Sequence, residues 1–104
     1  MDFSADELLL ELDRFDTTMA SAIGRAGRGV EPVLDRRLAS HVRVLRAMLD
    51  DDGATAAMDA VEAARRAMDA ADPAAPLHML EMARETLLAK MRRQVARAPG
   101  LRAA

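Results

Sequence analysis

The side chains best suited to proton or metal chemistry in this sequence are its two histidines, His41 and His78, since it holds no cysteine and no tyrosine. An imidazole titrates near neutral pH, so it can serve as general base, phospho-acceptor or metal ligand. His41 has basic company in Arg36, Arg37 and Arg43, residue types that pair with phosphate oxygens. His78 stands three residues before Glu81, which places both on one side of a helix. Two ligands do not make a metal centre, and the residues three before His41 and His78 are Leu38 and Ala75, so no Glu-x-x-His pair exists. No metal and no cofactor is expected.

Around His41, the run Ser40-His41-Val42-Arg43 resembles the phospho-accepting helix of histidine kinases over four residues. It departs from phosphotransfer domains at Val44 and Leu45, where those carry a lysine and then a small residue. Arg36 and His41 also match the R-x4-H spacing of HEPN ribonucleases. These resemblances imply an alternative function, histidine phosphotransfer or a HEPN-like ribonuclease activity, with His41, Arg36 and Arg37 as its residues. The competing expectation is a hydrogen-bonded core histidine, because His41 falls within the apolar arc of its helix.

Two loops carry partial motifs. Asp50-Asp51-Asp52-Gly53 places acids before a glycine as a calcium loop does, but the first ligand position is Met48 and the twelfth is Asp59, so an acidic solvated turn is expected. The segment from Gly24 to Gly29, with Arg25 and Arg28, could cradle an anion. It lacks the strand and spacing of a nucleotide loop and reads first as a connector.

These residues must be held by helices, and the punctuation for four is present. With 104 residues the chain suits one domain with a core of its own. Ser4 and Glu7 have capping-box spacing, and Leu8, Leu12, Phe15, Met19 and Ala22 then step by three and four. Pro32 suits a second helix start, followed by Leu34, Leu38, Val42, Leu45 and Leu49. A third helix is expected from about Thr55, with Met58, Val61, Ala64 and Met68 inward, and a fourth after Asp72-Pro73-Ala74-Ala75-Pro76, with Leu80, Leu87, Leu88, Met91 and Val95 inward. The expected fold is an all-α, antiparallel up-down-up-down four-helix bundle with helices near 4–26, 31–50, 54–71 and 76–98, a single domain over 1–98 and a frayed tail at 99–104.

Charge offers a check on that arrangement. From Asp2 to Asp16 there are six acids against Arg14 alone, while after Glu85 come Lys90, Arg92, Arg93, Arg97 and Arg102 with no acid. Opposite charges at the start of the first helix and the end of the fourth would meet in an up-down bundle. Asp16 and Arg84, each at or inside an apolar arc, are expected as a structural pair that sets register. Arg65 presents the same pattern in the third helix.

A net charge of -2 and only two aromatic residues argue against a nucleic-acid partner. Leu8-Leu9-Leu10 is too short for a signal or membrane segment and no basic stretch precedes it, so neither export nor a membrane partner is expected and the cytoplasm is the default. The fourth helix carries a second seam, Met79, Met82, Thr86 and Ala89, and the third is broadened by Ala56, Ala60, Ala63 and Ala67. Such seams predict self-association. The leading expectation is therefore a non-enzymatic interaction protein, a homodimeric adaptor or regulator that binds another protein through helices 3 and 4.

Overall fold

The computed structural model describes residues 4–97, and among these it is an all-α four-helix bundle: α1 (Ala5–Gly24), α2 (Pro32–Met48), α3 (Asp51–Asp69) and α4 (Ala74–Arg97). Asp2, Phe3, Arg102 and the tail expected at 99–104 lie outside the described residues. No helix among the described residues is long and apolar enough to cross a membrane.

Local chemistry explains the helix starts. Ser4 caps α1, its Oγ accepting from the Glu7 backbone N–H at 3.1 Å and donating to the Glu7 carboxylate. At α2 the cap is Glu31, whose carboxylate accepts from the backbone N–H groups of Leu34 (2.7 Å) and Val33 (3.1 Å), with Pro32 at the first helical position. Those two bonds, the Leu34 one foremost, hold the Glu31 carboxyl below its ordinary pKa.

The third helix begins earlier than the expected start near residue 54. Asp50 is its N-cap, accepting from the Gly53 N–H at 2.8 Å, so Asp51, Asp52 and Gly53 form its first turn instead of a connecting loop. Acids there face the positive end of the helix dipole. Only Leu49 and Asp50 join α2 to α3. An added Cβ at Gly53 would lie 3.1 Å from the Leu49 Cβ, so a larger residue at this corner would push the neighbouring Leu49 aside by a few tenths of an ångström. Gln94 of α4 spans this link, donating to the Met48 carbonyl at 2.7 Å and accepting from the Asp50 N–H at 3.1 Å. A helix-end carbonyl that would otherwise lack a partner is thereby satisfied. Similarly, α4 starts at Ala74 and takes Pro76 into its first turn, where the missing N–H costs no helical bond.

The glycine-rich connection after α1 closes a different helix. Gly27 (φ +76°) and Gly29 (φ +89°) turn the chain so that their N–H groups donate to the carbonyls of Ala67 (2.9 Å) and Met68 (2.7 Å) in the last turn of α3. Only glycine enters that left-handed region without steric cost.

Phe15, Met19, Leu38, Leu45, Met68, Leu80, Leu87 and Met91 are fully buried. The helix α1 touches all three others, as does α3, while α2 and α4 occupy opposite corners. A helix surrounded in this way needs short side chains, and Ala57, Ala60, Ala64 and Ala67 of α3 are sealed completely. Because this alanine ridge turns inward, Met58, expected in the core, is 46% exposed in a shallow groove beside Ala39 and Val42 of α2.

Facing residues run in opposite order between neighbours. Asp16 of α1 meets Arg84 of α4, Gly27 just beyond the end of α1 lies near Pro73 just before α4, and Asp35 of α2 meets Arg65 of α3. This order is consistent with alternating helix directions.

Candidate functional site

Along α1, Glu11, Phe15 and Thr18 repeat at intervals of four and three, so all three face α2. They enclose His41. Its Nδ1 lies 2.7 Å from Glu11 Oε1 and its Nε2 2.9 Å from Thr18 Oγ1, while the Phe15 ring meets the imidazole edge-on at 5.8 Å between centroids. Thr18 also donates to the Arg14 carbonyl at 3.2 Å. Glu11 and Thr18 are each 8% exposed, and the His41 side chain 16%. Burial of this kind requires hydrogen-bond partners, and the chain carboxylate, imidazole, hydroxyl, carbonyl supplies them.

Above this chain the two helices leave an open groove of about 440 Å³, lined by Asp13, Arg14, Thr17 and Thr18 from α1 and Arg37, Ser40 and His41 from α2. Of the three residues grouped around His41 by sequence, only Arg37 reaches it. Arg36 is five positions from His41, about 140° around the helix, and is exposed elsewhere. The R-x4-H pair is thus not assembled. Both ring nitrogens of His41 are engaged, which leaves neither ready for a phosphoryl group. The carboxylate–imidazole–hydroxyl order matches that of nucleophilic hydrolases, but Thr18 sits in mid-helix, where neighbouring N–H groups are spent on the helix and cannot form an oxyanion hole.

The structure also uses up the backbone donors that follow Gly24 in the Gly24 to Gly29 segment, although the Arg25 Nε is buried without a hydrogen-bond partner among the described residues. Arg25, Ala26 and Arg28 give their N–H groups to carbonyls of Ala22, Ile23 and Arg25, and Gly27 and Gly29 give theirs to α3. No cradle of free N–H groups is left there for an anion, and the nearby start of α2 is filled by the Glu31 carboxylate. His78 and Glu81 are exposed on α4, and no group of three or more potential metal ligands stands together among the described residues.

Asp16 and Arg84 form an ion pair, with Arg84 donating to Asp16 Oδ1 from Nη2 at 2.5 Å and Nε at 2.6 Å. Arg65 donates to Asp35 at 2.5 Å and to Glu62 at 3.2 Å, and the Asp35 bond first of all raises its pKa above the ordinary arginine value. Among the described residues, the basic end of α4 makes no ion pair with α1. Lys90 pairs with Asp52 and Arg97 with Asp50, because the acidic first turn of α3 lies nearer.

The expected interface residues separate into two groups. Met79, Met82, Thr86 and Ala89 are all exposed on α4, the two methionines by 56% and 55%. Ala56, Ala60, Ala63 and Ala67 are instead buried inside the chain's own core, between 0% and 8% exposed, and offer nothing to a partner. Alanine lets helices approach closely, and here the close approach is intramolecular.

Sequence reasoning missed Glu11 and Thr18. The signal was present, since both fall on the apolar stripe with Leu8, Phe15 and Ala22, and a polar residue on a buried stripe calls for a partner. Comparison with known proteins finds no match, whether among family models, curated proteins or solved structures.

Proposed function

We propose that this protein is a non-enzymatic, cytoplasmic interaction module, a homodimer that pairs through the outer face of α4 and presents the rest of the bundle to a protein partner as an adaptor or regulator. The observation that carries this reading is the exposure of Met79 and Met82 on a helix whose inner face, Leu80, Leu87, Met91 and Val95, is already buried. Methionine adapts its shape to an opposing surface, and Thr86 and Ala89 beside it permit close approach.

Charge flanking that seam favours a second copy as the occupant. Exposed Glu81 and Glu85 precede Thr86 and exposed Arg92 and Arg93 follow it. In a two-fold antiparallel pair of α4 helices crossing near Thr86, position 81 of each copy meets position 92 of the other, and position 82 meets position 89. The face is thus complementary to itself, as a symmetric dimer requires.

Light scattering with sedimentation velocity tests the reading. The expected mass is twice the 11.3 kDa of the chain, falling to that of one chain in Met79→Glu/Met82→Glu. Glu81→Arg weakens the dimer and Glu81→Arg/Arg92→Glu restores it. A wild-type protein that stays monomeric at the highest attainable concentration overturns the proposal.

A further inference from the structure

We propose that the groove between α1 and α2 is a binding site for a small phosphate monoester that carries hydroxyl groups. Three observations support it together. First, Arg14 and Arg37 open into the groove from two different helices, and neither is in an ion pair among the described residues. Two guanidinium groups on opposite walls are suited to gripping one oxyanion from two sides, each through paired N–H donors.

Second, the polar groups of the floor are preorganised. Thr18 is held by His41 and by the Arg14 carbonyl, His41 is held by Glu11, and Ser40 lies beside it on the α2 wall. A floor already fixed by its own hydrogen bonds loses little freedom when a ligand arrives. The volume, about 440 Å³, is within the range of small-molecule clefts.

Third, Asp13 shares the groove with the two arginines. A carboxylate beside an anion site opposes bare phosphate, whereas it accepts hydrogen bonds from hydroxyl groups next to a phosphate. The mixture of two cations and one acceptor therefore selects a phosphorylated polyol over inorganic phosphate.

The groove lies on the α2 side of the bundle, at the opposite corner from α4, so the site does not depend on dimerisation. Titration with glycerol 3-phosphate, followed by the NMR signals of the His41 ring and by calorimetry, tests it on the full chain. Saturable shifts of the His41 signals are expected, with affinity falling roughly tenfold or more in Arg14→Gln and in Arg37→Gln and unchanged in Arg66→Gln, an exposed arginine of α3 away from both the groove and the α4 face. Inorganic phosphate should bind more weakly than glycerol 3-phosphate, and Asp13→Asn should remove the difference. Absence of saturable shifts, or equal loss in Arg66→Gln, overturns the site, and inorganic phosphate binding as tightly as the monoester overturns its assignment to a polyol phosphate. Circular dichroism confirms that each variant is folded; either arginine variant alone suffices if the other is not. The mass by light scattering should be the same in all of them, which separates failure of this site from failure of the α4 dimer.

Discussion

Replacing His41 by alanine should destabilise the bundle far more than its position near a groove suggests. The substitution leaves the Glu11 carboxylate, 8% exposed, without the imidazole that lies 2.7 Å from it. Removing one member of a buried, hydrogen-bonded pair costs roughly 3–5 kcal/mol, and the remaining solvent access from the groove places this case at the lower end. Loss of the Phe15 edge contact adds about 0.5–1 kcal/mol. A total of about 3.5–4 kcal/mol corresponds, at roughly 2.1 cal/mol/K per residue of unfolding entropy, to a melting temperature lower by about 16–18 °C. Urea unfolding followed by circular dichroism measures the loss directly. The double variant Glu11→Leu/His41→Leu is the decisive control. It removes both polar partners together and should stay within about 1 kcal/mol of the wild type, since a buried pair is often no better than the apolar residues that could replace it. A loss under about 0.5 kcal/mol in His41→Ala, or a double variant as unstable as the single one, would refute the reasoning that the pair is buried and mutually dependent.

Other consequences follow from the backbone and the caps. Gly27→Ala should cost about 1–2 kcal/mol, because its φ of +76° is strained for alanine and the new Cβ would come within 3.3 Å of Pro73 Cγ. Gly24→Ala should instead stabilise by about 0.5 kcal/mol, since Gly24 is helical and nothing lies within 4 Å of an added Cβ; thermal melts of the two variants should shift in opposite directions. Glu31 predicts a pH effect. Its folded-state pKa lies below the ordinary 4.5, so its cap favours folding above that value and the contribution is lost as pH falls through the lowered value. Unfolding midpoints measured in urea across acidic pH should therefore fall less steeply in Glu31→Gln than in the wild type. Asp50→Ala should cost about 1 kcal/mol through loss of the α3 cap, read as a lower urea midpoint with an unchanged slope.

The sequence by itself determined that four amphipathic helices pack into one all-α bundle, because apolar spacing, Ser4, Pro32 and the proline-rich break before α4 are local signals that each helix carries alone. It also placed His41 on an inward arc, since periodicity fixes where a side chain points along its own helix, and short connections with opposite charge set Asp16 beside Arg84. Tertiary structure decided what those side chains meet. The alanines of α3 read equally well as an outer seam and as a core ridge, and only the position of α3, in contact with the other three helices, turned them inward and left Met58 outside. Glu11 and Thr18 could be seen as polar residues on a buried stripe, but their shared partner is a histidine on another helix, at 30 and 23 positions' separation. The glycine-rich connection read first as a connector, and only the tertiary structure gave its Gly27 and Gly29 N–H groups to carbonyls of α3, far away in sequence. Periodicity gives a direction and not a neighbour; the neighbour depends on how helices of unlike bulk settle against one another.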